Sequence, residues 1–179
     1  MRIVITGTPG TGKTKIAKEL AKRTGIGRVD LKEFVNRNHI FKIEKGQKVV
    51  DVGLLGKKLL SRIKKSKEYI VEGHLACEFK IPADFVFVLR TNPNKLGARL
   101  AKRKYKKEKL EENLMAEMLD YCVQRVESVY GKSPLELDTS QRTVKKCADE
   151  ILNAIKKKKK VLDQVDFSRE LKKYLKLKK

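Results

Sequence analysis

Eight consecutive residues, Gly7-Thr8-Pro9-Gly10-Thr11-Gly12-Lys13-Thr14, fit the spacing G-x-x-x-x-G-K-[ST]. A segment with so few side chains works through its backbone. Successive N–H groups wrap a phosphate chain, which requires close approach and positive φ angles that Gly10 and Gly12 permit. The helix expected to follow points its N-terminal N–H groups and positive dipole end at the same anion. In that arrangement Lys13 reaches the β- and γ-phosphates, and the Thr14 hydroxyl holds Mg²⁺. A phosphate loop does not name an acceptor, because ATPases, GTPases and small kinases all carry one.

Two other groups bear on the acceptor. In "EYIVEGH" an apolar run ends in Glu72, followed by Gly73 and His74. A carboxylate at a strand tip either holds the water shell of Mg²⁺, orients a nucleophile, or simply ends a strand. In "LRTNPNKLGARLAKRKYKKEKL", Arg99 and Arg103 are four apart and share a helix face, and Arg90 ends the preceding strand. Guanidinium groups stabilise the charge spread over a phosphoryl group in transfer. The basic stretch after Arg103 reads as a short closing lid or as a solvated basic face.

Around these groups, strand-like and helix-like segments alternate along the chain. "RIVITG" (2–7), "GRVDL" (27–31), "EYIVEG" (68–73), "FVFVLR" (85–90) and the weaker "SPLELD" (133–138) read as strands. The run from Lys13 has apolar residues at helical spacing and stops at Gly25. A second helix follows "TNPNK" to about Arg103, and "LEENLMAEMLDYCVQRVESVYG" reads as one long amphipathic helix ending at Gly131. "RTVKKCADEILNAIK" gives the last helix of the body. Residues 31–66 read as two or more helices around a polar turn at "EKGQK", long enough for an acceptor-binding lobe or a plain pair of core helices. The alternation predicts an α/β fold with a parallel sheet covered on both faces.

The 179 residues suit one domain, without internal repeats. The chain has no apolar run near membrane-spanning length, and its N-terminus reads as a strand rather than a secretion signal, so no membrane partner is expected. Cys77, Cys122 and Cys147 are widely spaced, which argues against a disulfide scaffold or zinc knot and for a reduced, cytoplasmic setting. Lys and Arg total 44 against 22 Asp and Glu, a net charge of +22. That field attracts polyanions such as nucleotides or RNA. A thermophilic composition alone would enrich both signs. From Lys156 onward 11 residues are basic and 3 acidic, with Val161, Leu162, Val165, Leu171, Tyr174 and Leu175 as an apolar stripe on a basic helix.

The segments "ITGTPGTGKT", "VEGH", "VFVLRTNPNKLGARLAKRKY" and "KLEENLMAEM" resemble the adenylate kinase isoenzyme six family of archaea and eukaryotes over about residues 1–155. The resemblance implies the P-loop nucleoside triphosphate hydrolase fold: a five-stranded parallel sheet flanked by helices, a nucleoside-monophosphate-binding lobe and a short lid. It implies transfer from ATP to AMP with Mg²⁺, some ATPase activity, and a protein of the small ribosomal subunit as partner; the tail lies outside the resemblance, and ribosomal RNA is a further contact expected from the charge of the basic surface and tail. The corresponding division is a kinase domain at 1–157, its lobe at about 30–55 and lid at about 102–112, then a basic tail or helix at 158–179. By position, Gly10, Gly12, Lys13, Thr14 and Lys15 would hold ATP phosphates, Arg103 would be the lid arginine, and Gln141 would lie against the adenine. His74 would couple nucleotide chemistry to motion, and Glu72 would hold Mg²⁺ through water where the family usually has Asp. The lobe is more basic than in eukaryotic relatives, and Asp30 and Asp51 are the candidate AMP contacts. The rival expectation is an assembly factor that uses ATP as a switch, with kinase activity incidental. A basic nucleic-acid binder with a vestigial loop is a third reading.

Overall fold

Five β-rich runs and the helices between them form one α/β layer structure in the computed structural model, which describes residues 1–44 and 46–176. The strands β1 (Arg2–Thr6), β2 (Arg28–Asp30), β5 (Tyr69–Glu72), β6 (Phe85–Arg90) and β7 (Leu135–Asp138) make a sheet in the order β2-β5-β1-β6-β7. All four neighbouring pairs are parallel. This is the fold class expected, including the number of strands.

Period-two alternation explains why both faces are apolar. Ile3 and Ile5 of β1 point into one layer, built with Ile16 and Leu20 of α1 (Lys13–Thr24) and Ile151 of α7 (Val144–Lys156). Val4 points into the other, with Leu31 of α2 (Leu31–Arg37), Leu55 and Leu59 of α3 (Val52–Ile63), and Val126 and Tyr130 of α6 (Tyr121–Tyr130). The chain leaves β1 for β2 on one side and later occupies β6 and β7 on the other, so β1 lies where the direction of winding reverses. Such a point opens a crevice beyond the carboxyl ends of the strands, and the glycine-rich loop leaves β1 there.

The segment 31–66 differs from expectation. Between α2 and α3 the chain forms an antiparallel hairpin, β3 (Phe41–Glu44) and β4 (Gln47–Val50), rather than further helix. In β3 Phe41 and Ile43 alternate with Lys42 and Glu44, β4 ends in the β-branched pair Val49 and Val50, and Gly46 at φ +74° turns the chain. Lys45 of the "EKGQK" turn lies outside the described residues. The long helix expected up to Gly131 is instead two, α5 (Lys107–Met118) and α6, broken at Asp120. Asp120 has φ +55°, a left-handed conformation Asp tolerates, and its carboxylate is drawn to Arg90.

The last expected helix is also shorter. Residues 157–167 run without helix, and α8 spans Ser168–Lys176, following α4 (Pro93–Lys102) and α5 in space through Asn92–Glu170 and α5–α8 contacts. The apolar stripe is therefore split: Leu162 packs on the α1–α7 core, while Val161 and Leu175 are exposed. Residues 177–179 of the expected tail lie outside the described residues. No helix among the described residues is long and apolar enough to cross a membrane.

Candidate active site

The loop between β1 and α1 is held in a shape that only its glycines allow. Gly7 has φ +135°, and a Cβ there would stand 2.4 Å from the carbonyl oxygen of Leu89 in β6. Gly10 has φ +101°, and its Cβ would stand 2.7 Å from Leu96 Cδ1 of α4. Inside the loop, Thr11 Oγ1 donates to the Thr8 carbonyl at 2.9 Å. Lys13 Nζ is buried and donates to the Gly7 and Thr8 carbonyls at 2.7 and 3.0 Å. Burial lowers the Lys13 pKa, an electrostatic demand that an anion in the loop would answer.

Glu72 reaches this loop because β5 pairs with β1, with Ile5 opposite Glu72. Its carboxylate is 2% exposed. Thr14 Oγ1 donates to Oε2 at 3.2 Å, and Arg28 Nη1 donates to Oε1 at 2.7 Å. The same Arg28 nitrogen donates to Asp30 Oδ2 at 3.1 Å, so one guanidinium bridges two carboxylates. Burial, and then the charge of Asp30, push the Glu72 carboxyl up to about 7. A hydroxyl and a carboxylate side by side, both hard oxygen donors, suit a Mg²⁺ ion that keeps most of its water.

His74 opens a 3-10 turn, His74–Cys77, immediately beyond β5. The turn is tied to β1 by Thr6 Oγ1, which donates to the His74 carbonyl at 3.3 Å. Although His74 is exposed at the cleft, partial loss of water around the ring, followed by the positive field of Lys13 and Lys109, pushes the imidazole down to about 4. It is therefore neutral near pH 7.

Two cavities meet at the loop. One, of about 440 Å³, is lined by Gly10, Gly12, Lys13, Thr14, Lys15, Glu72 and His74, and extends to Asp30, Lys32, Asn36, Lys48 and Val50. Its outer wall is thus α2 and the β3–β4 hairpin, where Lys48 Nζ donates to Asn36 Oδ1 at 2.9 Å. The other, of about 350 Å³, runs from Gly10, Gly12 and Lys15 to Arg99, Thr139, Arg142, Val144 and Cys147. Arg103, at the carboxyl end of α4, lines both.

Most of the expected site residues come together. Gly10, Gly12, Lys13, Thr14, Lys15, Glu72, His74 and Arg103 all face the first cavity. Gln141 does not reach either cavity wall: it is exposed, and its Oε1 accepts from Lys95 Nζ at 2.5 Å. The neighbouring Arg142 lines the second cavity in its place. Of the two acidic candidates, Asp30 lines the first cavity while its Oδ1 caps α2 through Lys32 N and Glu33 N. Asp51 caps α3 through Leu54 N at 2.9 Å and is exposed outside the cavity lining.

The three arginines divide. Arg99 braces the loop and β7: its Nη1 lies 3.5 Å from the Gly10 carbonyl, and Nη2 donates to the Thr139 carbonyl at 3.1 Å. Arg90, taken with Arg99 and Arg103 as a phosphoryl-stabilising group, is instead turned into the core. It is 2% exposed, pairs with Glu117, Asp120 and Glu136, and stacks under Phe167 at 5.1 Å. Strand alternation is the reason: Arg90 faces the α5 side of β6, away from the loop. Sequence reasoning missed Arg28 and Arg142. The available signals were strand alternation, which sets Arg28 on the same face as Asp30, and the position of Arg142 just past a parallel strand's carboxyl end.

Comparison with known proteins agrees with this geometry. The family described as an AAA domain matches residues 3–120. A Methanocaldococcus jannaschii protein named "Putative adenylate kinase" is 40% identical over 99% of this chain and 98% of its own length. One from Pyrococcus furiosus with the same name is 34% identical, over 99% and 98%. Among solved structures, the fold is similar to shikimate kinase from Acinetobacter baumannii in complex with shikimate. The TM-score there is 0.65 at 19% identity, over 88% of this chain and 94% of the other. Deoxyadenosine kinase from M. mycoides with bound dATP gives 0.59 at 20%, over 87% and 100%.

Proposed function

This chain belongs to the AAA-domain family and to the archaeal group named adenylate kinase, and on that premise we propose that it transfers the γ-phosphoryl group of ATP to AMP. The observation that carries the reading is the pair of cavities sharing one phosphate loop, with Arg103 and Lys15 on both walls. A hydrolase needs one nucleotide space and a water; two spaces flanking one loop suit a donor and an acceptor.

On this reading the loop amides, Lys13 and Lys15 hold the donor phosphates, and Thr14 with Glu72 holds Mg²⁺, Glu72 through water. When bound, the ion neutralises charge on the β- and γ-oxygens. Thr14 and Glu72, which would hold the ion, both line the first cavity, so the γ-phosphate would point there. The acceptor lies between α2 and the hairpin, within a lobe at about 30–55, and Asp30, Lys32 and Lys48 border it. Residues about 102–112 act as the lid, bringing Arg103 onto the transferred group and excluding water. The acceptor phosphate oxygen attacks in line, so no protein nucleophile is needed. Neutral His74 contributes hydrogen bonding at the cleft without adding charge.

The decisive measurement is ADP formation by the purified protein with and without AMP. ADP formation that depends on AMP supports the kinase; release indifferent to AMP would overturn it. A second reading, in which ATP binding and hydrolysis switch contacts with a small-subunit ribosomal protein or ribosomal RNA, is favoured by the exposed basic run Lys156–Lys160 and the lysines of α8. ATPase activity stimulated by small-subunit particles, in the absence of AMP, would move the conclusion to that reading.

A further inference from the structure

The C-terminal segment is not a free appendage. Residue 163 lies beside β7, the outer strand of the sheet. Its N–H donates to the Glu136 carbonyl at 3.1 Å, and its carboxylate Oδ2 accepts from the Asp138 N–H at 2.8 Å. The segment thus covers part of the sheet edge, and Leu162 packs on the core beneath.

The same carboxylate grips a wall of the second cavity. Arg142 Nη2 donates to Asp163 Oδ1 at 3.0 Å, and Nη1 donates to Oδ2, a two-pronged pair. Nη1 also donates to the Asp138 carbonyl at 3.0 Å. Burial works against ionisation of Asp163, but the Arg142 guanidinium and the Asp138 N–H outweigh it and hold the carboxyl below its usual range. A guanidinium held by its edge keeps its flat faces free, and those faces stack well on planar rings.

We infer that Asp163 is a positioning residue for the donor base: it fixes Arg142 so that the guanidinium plane walls the part of the second cavity that receives the base. This deepens the kinase reading and rests on it. If Thr14 and Glu72 mark the γ-phosphate end, the nucleoside leaves the loop on the opposite side, into the cavity that continues past Ile16 to Val144 and Cys147. Those apolar neighbours and the guanidinium face together suit a purine.

The test compares two ligands that share phosphates and differ in the base: Mg·ATP and Mg·tripolyphosphate, each titrated calorimetrically. Asp163→Asn removes the charge and one acceptor while keeping the shape. The expected result is an about tenfold rise in the Kd for ATP, with tripolyphosphate binding changed less than about twofold and the KM for AMP unchanged. Arg142→Met should act alike with the tail untouched, and the double variant should be no worse than either single one. Unaltered ATP affinity in Asp163→Asn would overturn the inference, as would equal loss for both ligands, which marks a purely structural role. Should Asp163→Asn fail to fold, the Arg142→Met comparison decides by the same criteria. Failure of the wild-type protein to bind ATP at all would instead remove the kinase reading itself.

Discussion

Replacing Glu72 by Gln should raise the stability of the nucleotide-free protein, by an amount that grows as pH rises from 4.5 to 7. The carboxylate is 2% exposed and shares Arg28 with Asp30, which lies near enough to repel it. Its pKa consequently rises from 4.5 to about 7. At about 1.4 kcal/mol per pH unit, that gap corresponds to about 3 kcal/mol. The sign follows from proton counting. Between pH 4.5 and 7 the folded protein keeps a proton that the unfolded chain has released, so stability falls as pH rises through this window and then levels off. Below pH 4.5 wild-type Glu72 is neutral in both states and nearly isosteric with Gln, so the two proteins should match. Above pH 7 the variant should lead by about 3 kcal/mol, or roughly 6–12 °C in Tm for a chain of this size. Denaturant or thermal unfolding in EDTA at pH 4.5, 6 and 7.5 measures the difference. An offset between variant and wild type that stays constant across these pH values would disprove the linkage. It would mean that Arg28 fully compensates the burial of the carboxylate.

Three further outcomes are expected. Lys13→Ala should abolish detectable phosphoryl transfer in a coupled ADP assay, because no other buried cation lines the loop among the described residues; a wild-type rate would remove Lys13 from the mechanism. Arg90→Met should cost about 3–5 kcal/mol in urea unfolding by stranding Glu117, itself 2% exposed, beside Asp120 and Glu136, and Lys at this position should restore only part of it. His74, neutral down to a pKa of about 4 against a usual 6.5, should lend stability that is lost as pH falls through this interval. His74→Asn should flatten that loss, and above pH 5 it should leave the shape of the kcat/KM profile unchanged; a wild-type limb near 6.5 that vanishes in the variant would contradict the depressed pKa.

Much of the phosphate-binding apparatus was legible in the linear chain, because it is built from neighbours. Gly10, Gly12, Lys13 and Thr14 are contiguous, and the local turn geometry and helix start that they impose need no distant partner. The five strands were legible for the same reason, since a short apolar, β-branched run of strand length is a local property. The hairpin at 41–50 escaped because its short apolar runs fit either periodicity, and the break at Asp120 because a single left-handed residue leaves little compositional trace.

Encounters between residues far apart along the chain were beyond any local reading. Strand order places Glu72 against Thr14 across 58 positions and Arg28 against Glu72 across 44. Register turns Arg90 into the core while leaving Arg99 and Arg103 at the loop. Packing of the last segment on β7 brings Asp163 to Arg142. That a phosphate-binding loop lies at residues 7–14 follows from contiguous residues alone. Which charges surround it, and where two substrates can lie, depended on sheet topology, because side chains far apart along the chain meet only once the whole sheet has chosen its order.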